Sequence, residues 1–130
     1  VFAADVYADT DLATVAAQDA AYSARGDSAL VYDGSFMRHW DTWTGPKRTA
    51  LFAVALARAG STGAWALGAS YVSPMNGTAH ASPVYPFGGT DDFGVSATHV
   101  VYASRVPELP KTFHTRRDVC APYLPGRRMR

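Results

Sequence analysis

Apolar residues in this chain fall in short β-type runs rather than in long helical stripes. The densest stretch covers residues 29–56, where Ala29-Leu30-Val31-Tyr32 and Thr49-Ala50-Leu51-Phe52-Ala53-Val54-Ala55-Leu56 flank a Trp40-Asp41-Thr42-Trp43 frame. Gly45-Pro46 separates that frame from the second run, because proline cannot donate to a central strand ladder. The pattern predicts strand, turn, aromatic strand, turn, strand: an antiparallel meander with Trp40 and Trp43 as its structural aromatic frame.

Toward the N-terminus, Phe2–Tyr7 alternates loosely and predicts a strand. One helix is predicted, from Asp11 to about Arg25, with Thr10 as N-cap, Asp11 near its positive end and Gly26 as its stop. Leu12, Val15, Asp19 and Tyr22 share one side of it, a thin apolar stripe suited to a helix laid on a sheet. Beyond the meander, Arg58–Gly63 is a turn cluster, and Trp65–Leu67 and Tyr71–Ser73 are short strand candidates. Pro74–Pro86 has three prolines and no periodicity. Phe87–Phe93 is a turn with an aromatic at each end. Phe93–Val95 and His99–Ala103 predict a hairpin around Ser96-Ala97-Thr98, and Val106–Pro110 ends regular structure. Turn signals at about ten-residue spacing predict a sandwich, barrel or propeller.

Composition narrows the picture. A chain of 130 residues suits one domain with one core. Its hydrophobic fraction of 48% includes 23 alanines, which bury little area each. The core is therefore expected to lean on the aromatics, chiefly Trp40, Trp43, Trp65, Phe36, Phe52, Phe87 and Phe93. Eight prolines and 11 glycines favour a loop-rich β protein over a helical bundle. No apolar run approaches the ~18 residues of a membrane span, so no membrane partner is expected. Cys120 is the single cysteine, which excludes an internal disulfide. The net charge of +1 hides a split: residues 116–130 carry five arginines against Asp118, a local net of +4, so the rest nets −3. An acidic body with a short basic tail, lacking interleaved aromatics, does not read as a nucleic-acid binder.

Five segments carry a family resemblance. Asp5–Leu12 (DVYADTDL), Ser28–Asp33 (SALVYD), Met37–Trp43 (MRHWDTW), Pro86–Phe93 (PFGGTDDF) and Pro107-Glu108-Leu109-Pro110 with His114-Thr115 resemble the secreted fungal dipeptidyl-peptidase V group of the prolyl oligopeptidase family of serine peptidases. The resemblance covers residues 1–119 in unbroken order. It implies a mainly β fold: a partial β-propeller of about two to three blades of antiparallel strands, with one short helix near the N-terminus. Residues 1–119 would be an incomplete propeller segment and residues 120–130 an aberrant basic tail. After His114-Thr115 the family continues into another apolar strand. Here two prolines and three closing arginines are expected to stop a blade strand. The chain has no initiator Met and opens as though partway through a strand, so it is expected to be a fragment.

By the same resemblance, the parent is a secreted serine-type dipeptidyl peptidase acting on peptide substrates. Its catalysis would lie in a C-terminal α/β-hydrolase domain outside this chain, and the propeller would gate substrate access. The expectation from another functional class is a propeller-type binding module with no hydrolase activity.

The residues themselves name no catalytic group. A hydrolase nucleophile elbow needs Gly-x-Ser-x-Gly. Ser35 follows Gly34, but Met37 stands where the second glycine belongs. His39, His80, His99 and His114 include no pair three or four apart, so no metal or cofactor is expected, and His39 reads as a structural member of the aromatic strand. Asp91-Asp92 beside Gly88-Gly89 offers too few oxygens for calcium and reads as an Asx-stabilised turn. Asp41 is expected to bond turn amides or Arg38. Asn76-Gly77-Thr78 fits the N-glycosylation acceptor, which makes Asn76 the candidate modification site.

Overall fold

The computed structural model describes residues 1–32, 36–59 and 63–124. It is mainly β, with three antiparallel sheets and one short helix. The first sheet has the order β1 (Phe2–Val6), β4 (Arg48–Ala59), β5 (Ala64–Val72). The second is a minimal hairpin of β2 (Arg38–His39) and β3 (Thr42–Trp43). The third joins β6 (Phe93–Val95), β7 (Val100–Arg105) and β8 (Arg117–Cys120) in sequence order. Three open sheets without closure are what a partial propeller presents.

β4 is the hub of the first sheet. It pairs with β1 in the register Phe2↔Phe52, Ala4↔Ala50 and Val6↔Arg48. Ala50, Leu51 and Phe52 are consecutive and all fully buried. Successive strand residues point to opposite faces, so both faces of this half of β4 are covered. Phe52 stacks on Phe2 at 5.7 Å between ring centroids and meets the edge of Tyr71 at 5.6 Å. The second half of β4 and the first half of β5 leave the core as a two-stranded ribbon. Leu56, Trp65 and Leu67 stand exposed on it.

The expected pair of short strands at 65–67 and 71–73 is one strand. The register runs from Val54↔Tyr71 directly to Leu56↔Leu67, so β5 carries two more residues than β4 across that step. Gly68 lies in this irregularity. A Cβ there would meet the Ala55 carbonyl oxygen at 3.3 Å. The missing side chain lets the two backbones close up and keeps the ribbon paired.

The loop after β5 binds the first sheet to the third. Met75 is buried, with its Sδ accepting the Leu51 amide at 3.2 Å. Ser73 Oγ donates to the Leu51 carbonyl at 2.9 Å, and the Ser82 amide to that of Thr49 at 3.1 Å. On the other side the Ala81 amide donates to Ser104 Oγ at 3.1 Å. The core therefore sits between the two sheets: Val6, Ala50, Leu51 and Phe52 from one, Val100 and Tyr102 from the other, Met75 between them. In β7 the alternation is clean, with Val100, Tyr102 and Ser104 buried and Val101 exposed.

Several expectations change here. The helix α1 spans Val15–Ser23, and its N-cap is Thr14, not Thr10. Thr10 has a left-handed backbone (φ 58°), which a helix cap does not take. The Asp9 carboxylate holds the first turn instead, accepting from Thr14 Oγ1 at 2.7 Å and Gln18 Nε2 at 2.8 Å. These bonds, led by the Thr14 hydroxyl, hold the Asp9 carboxyl below its usual range. Residues 29–32 pair with no strand among the described residues, although their composition is β-type. The aromatic core is also largely absent. Among the large aromatics named from the sequence, Phe52 is fully buried and Phe36 and Phe93 partly so, while Trp40, Trp43, Trp65 and Phe87 are exposed.

Residues 117–120 add a strand to the third sheet, while the closing arginines Arg127, Arg128 and Arg130 lie outside the described residues. β8 pairs antiparallel with β7 from Arg105↔Arg117 to Tyr102↔Cys120, and His99 bridges Tyr123. Backbone ladder bonds tolerate arginine side chains, provided these project to solvent as those of Arg116 and Arg117 do. Pro122 does not break the run because its carbonyl accepts the Val100 amide at 3.2 Å, a bond that needs no proline N–H.

Gly88 occupies the tightest backbone position among the described glycines. Its amide donates to the Val84 carbonyl at 2.7 Å, while the Val84 amide donates to Asp92 Oδ2 at 2.7 Å. A Cβ on Gly88 would lie 2.6 Å from the Val84 carbonyl oxygen and nearer still to the Val84 amide nitrogen and Asp92. Gly88→Ala should therefore destabilise by about 3 kcal/mol, the upper end for overpacking. Gly94→Ala, with open space around the new methyl, should be nearly neutral. Chemical denaturation of the two variants side by side checks the difference.

Candidate functional site

The residues singled out in the sequence do not converge. Trp40 and Trp43 stand on the β2–β3 hairpin, 79% and 55% exposed. Trp40 takes a left-handed backbone (φ 55°) at the first turn position, which presents a bulky aromatic at the hairpin tip. Arg38 lies over the Trp43 ring at 5.7 Å, and Asp41 Oδ1 accepts the Thr42 hydroxyl at 3.2 Å. His39 packs edge-on against Phe87 at 5.5 Å and near Phe36 at 6.5 Å, as a member of the aromatic group. Ser35 and Gly34 lie outside the described residues.

Asn76 lies in an exposed turn. Its amide donates to the Ser73 carbonyl at 3.2 Å, Gly77 has φ 76°, and Thr78 Oγ1 donates to the Met75 carbonyl at 2.7 Å. Among the described residues no three His, Cys, Asp or Glu side chains gather as metal ligands would. Asp92 is instead a structural acceptor for Val84, with Arg117 3.7 Å away. No helix of the described residues is long and apolar enough to cross a membrane.

One polar cluster escaped the sequence reading. Arg48, at the start of β4, reaches Thr10 Oγ1, the His80 carbonyl at 2.6 Å and the Thr78 carbonyl at 3.0 Å. Burial pulls its guanidinium pKa below the usual arginine value. Close by, His80 Nδ1 lies 2.9 Å from the Tyr102 hydroxyl and 3.7 Å from Cys120 Sγ. Burial first, then the Cys120 sulfur, push the Tyr102 phenol up to about 12, while Arg48 opposes the rise. Tyr102 therefore stays neutral through the physiological range, and it competes with the thiol for the same ring nitrogen. No periodicity could have brought residues 10, 48, 80, 102 and 120 together.

Two cavities flank the Thr44-Gly45-Pro46 turn. The larger, about 520 Å³, lies between α1 and residues 30–32, with Tyr7, Tyr22 and Tyr32 in its wall. The Tyr32 hydroxyl and Thr44 Oγ1 are buried there without a partner. At its edge Asp19 accepts from Tyr7 at 2.9 Å and Lys47 at 3.0 Å. Lys47 above all, then Tyr7, hold the Asp19 carboxyl below its usual range. The smaller cavity, about 300 Å³, opens between Pro46–Thr49 and the end of β7 and is lined by Lys47, Arg48, Arg105 and Lys111 with one carboxylate, Asp5. Clefts of this size hold small molecules or short peptide ends.

Comparison with known proteins gives the chain its relatives. It is 36% identical over 100 residues to dipeptidyl-peptidase 5 of Trichophyton equinum, which covers 72% of this chain and 13% of that protein. Dipeptidyl-peptidase 5 of Arthroderma benhamiae is 36% identical over 96 residues, with the same two shares. That of Aspergillus fumigatus is 34% identical over 93 residues, covering 68% of this chain and 13% of that protein. The chain thus spans about an eighth of the length of the curated relatives it matches. No protein-family profile matches it, and no solved structure does. A mainly β chain with this identity to several such proteins belongs to the same family as the fungal dipeptidyl-peptidases 5.

Proposed function

We propose that this chain is the non-catalytic propeller part of a secreted, serine-type dipeptidyl peptidase of the prolyl oligopeptidase family. Kinship with dipeptidyl-peptidases 5 over seven tenths of the chain carries this reading. Peptide would be cut two residues at a time from its N-terminus by a hydrolase domain outside these residues, through an acyl-enzyme. The three open sheets would stand over that domain and limit what enters. Two features support a partial assembly: the two-faced β4–β5 ribbon, and the tryptophan hairpin with its exposed rings. Neighbouring blades would cover both, and Asn76, in its exposed turn, would carry the glycan of a secreted protein. The peptidase, not this segment, would hold the nucleophile, since no serine of the chain has glycine on both sides in the required pattern.

Activity decides the matter. The chain 1–130 alone should neither cleave dipeptidyl chromogenic substrates nor take up a fluorophosphonate probe. The natural-length protein should do both. Stoichiometric labelling of a serine in 1–130 would overturn the division of labour. An unreactive natural-length protein would favour a propeller-type binding module.

A further inference from the structure

The smaller cavity holds more positive charge than the fold uses. Of its four cations, Lys47 is paired with Asp19 at 3.0 Å. The Arg48 guanidinium is committed to Thr10 and two backbone carbonyls, none of them anionic, so its charge is uncompensated among the described residues. Arg105 and Lys111 have no acidic partner among the described residues, and Arg105 Nε is shut off from solvent with no acceptor. The one carboxylate in the wall, Asp5, accepts the Thr49 hydroxyl at 2.8 Å. Apart from Thr44 and Thr49 the remaining wall is mostly apolar, with Phe36, Pro46, Val84, Tyr85 and Pro107 its larger members.

This combination selects a ligand class. A guanidinium fork without a partner matches a carboxylate through two parallel N–H···O bonds. Apolar walls around it favour an anion borne on an apolar body over a fully hydrated inorganic ion. We infer that this cleft binds the C-terminal carboxylate of a short apolar peptide, with Arg105 pairing the carboxylate and Lys111 closing over it from the rim. Desolvation by Phe36, Tyr85 and the prolines would strengthen the pair, and the Arg48 charge behind it would add long-range attraction. The choice of a peptide as the anion's body rests on the peptidase reading; the charge argument does not.

The test uses the natural-length protein and acetyl-Pro-Leu as free acid and as C-terminal amide, with Kd read by calorimetry. Acetylation blocks the N-terminus, so binding is not mixed with release of dipeptides. The acid should bind at millimolar Kd or tighter and the amide at least tenfold more weakly, and only the acid should weaken as salt rises. Arg105→Gln should cost the acid about tenfold and leave the amide unchanged, and Arg105→Lys should restore part of the loss. Lys111→Gln, at an exposed position where folding is not at stake, should weaken the acid about threefold. Equal binding of acid and amide, no binding of either, or acid affinity indifferent to both glutamine variants would each overturn the inference. So would inorganic phosphate competing as strongly as the acid. Hydrolysis of a free-N-terminus chromogenic substrate is measured in parallel: its absence sinks the peptidase reading and leaves the carboxylate result standing or falling by itself.

Discussion

Replacing Phe52 with alanine should cost about 3–5 kcal/mol, the range for deleting a buried phenylalanine ring. Phe52 is fully buried in β4, stacked on Phe2 and met by the edge of Tyr71, so its removal unpins β1 and β5 together. The surroundings cannot collapse easily into the gap, because Leu51 and Met75 on the opposite side are already bonded through the Leu51 amide. Leu56, four residues along the same strand, is 59% exposed on the ribbon, and Leu56→Ala should fall within about 0.5 kcal/mol of neutral in the isolated chain. Soluble yield and protease susceptibility of the two variants check the contrast. A Leu56→Ala effect as large as that of Phe52→Ala would show that the ribbon is buried in solution.

The isolated 130-residue chain should unfold without a sharp cooperative transition and should bind a hydrophobic dye before denaturant is added. A compact domain of 13.9 kDa exposes about 6,700 Å², whereas this chain exposes 9185 Å². The excess, about 2,500 Å², is the size of an obligate interface. Much of it is apolar, including Trp40, Trp65, Leu67, Phe87, Phe113 and Val119. Propeller blades bury such faces only against one another. Against this surface stands one small buried cluster, and ordering the backbone opposes folding by ~1–2 kcal/mol per residue. Fluorescence and circular dichroism followed through a urea titration supply the measurement. A single coincident transition from a soluble monomer would instead mark a self-contained β domain.

The sequence by itself determined the local elements wherever neighbours along the chain decide conformation. Phe2–Val6, the start of β4, the Ser96–Thr98 hairpin turn and the irregular proline-rich loop all lie where alternation and turn residues put them. The family was legible as well, because segments such as DVYADTDL and PFGGTDDF are long enough to be specific. Tertiary structure decided what depends on partners far along the chain. Residues 29–32 have strand composition but no strand beside them among the described residues, and a strand without a ladder partner leaves its amides unpaired. β8 carries Arg117 and Asp118 in a stretch expected to stop a blade strand, yet forms because β7 offers an open edge. Thr10 caps no helix: its backbone is left-handed, and its hydroxyl accepts from Arg48, thirty-eight residues away. The basic cleft arises in the same way: Asp5, Arg48, Arg105 and Lys111 carry no shared spacing, and only the docking of the third sheet against the first, through Met75 and Ser82, sets their charges around one cavity.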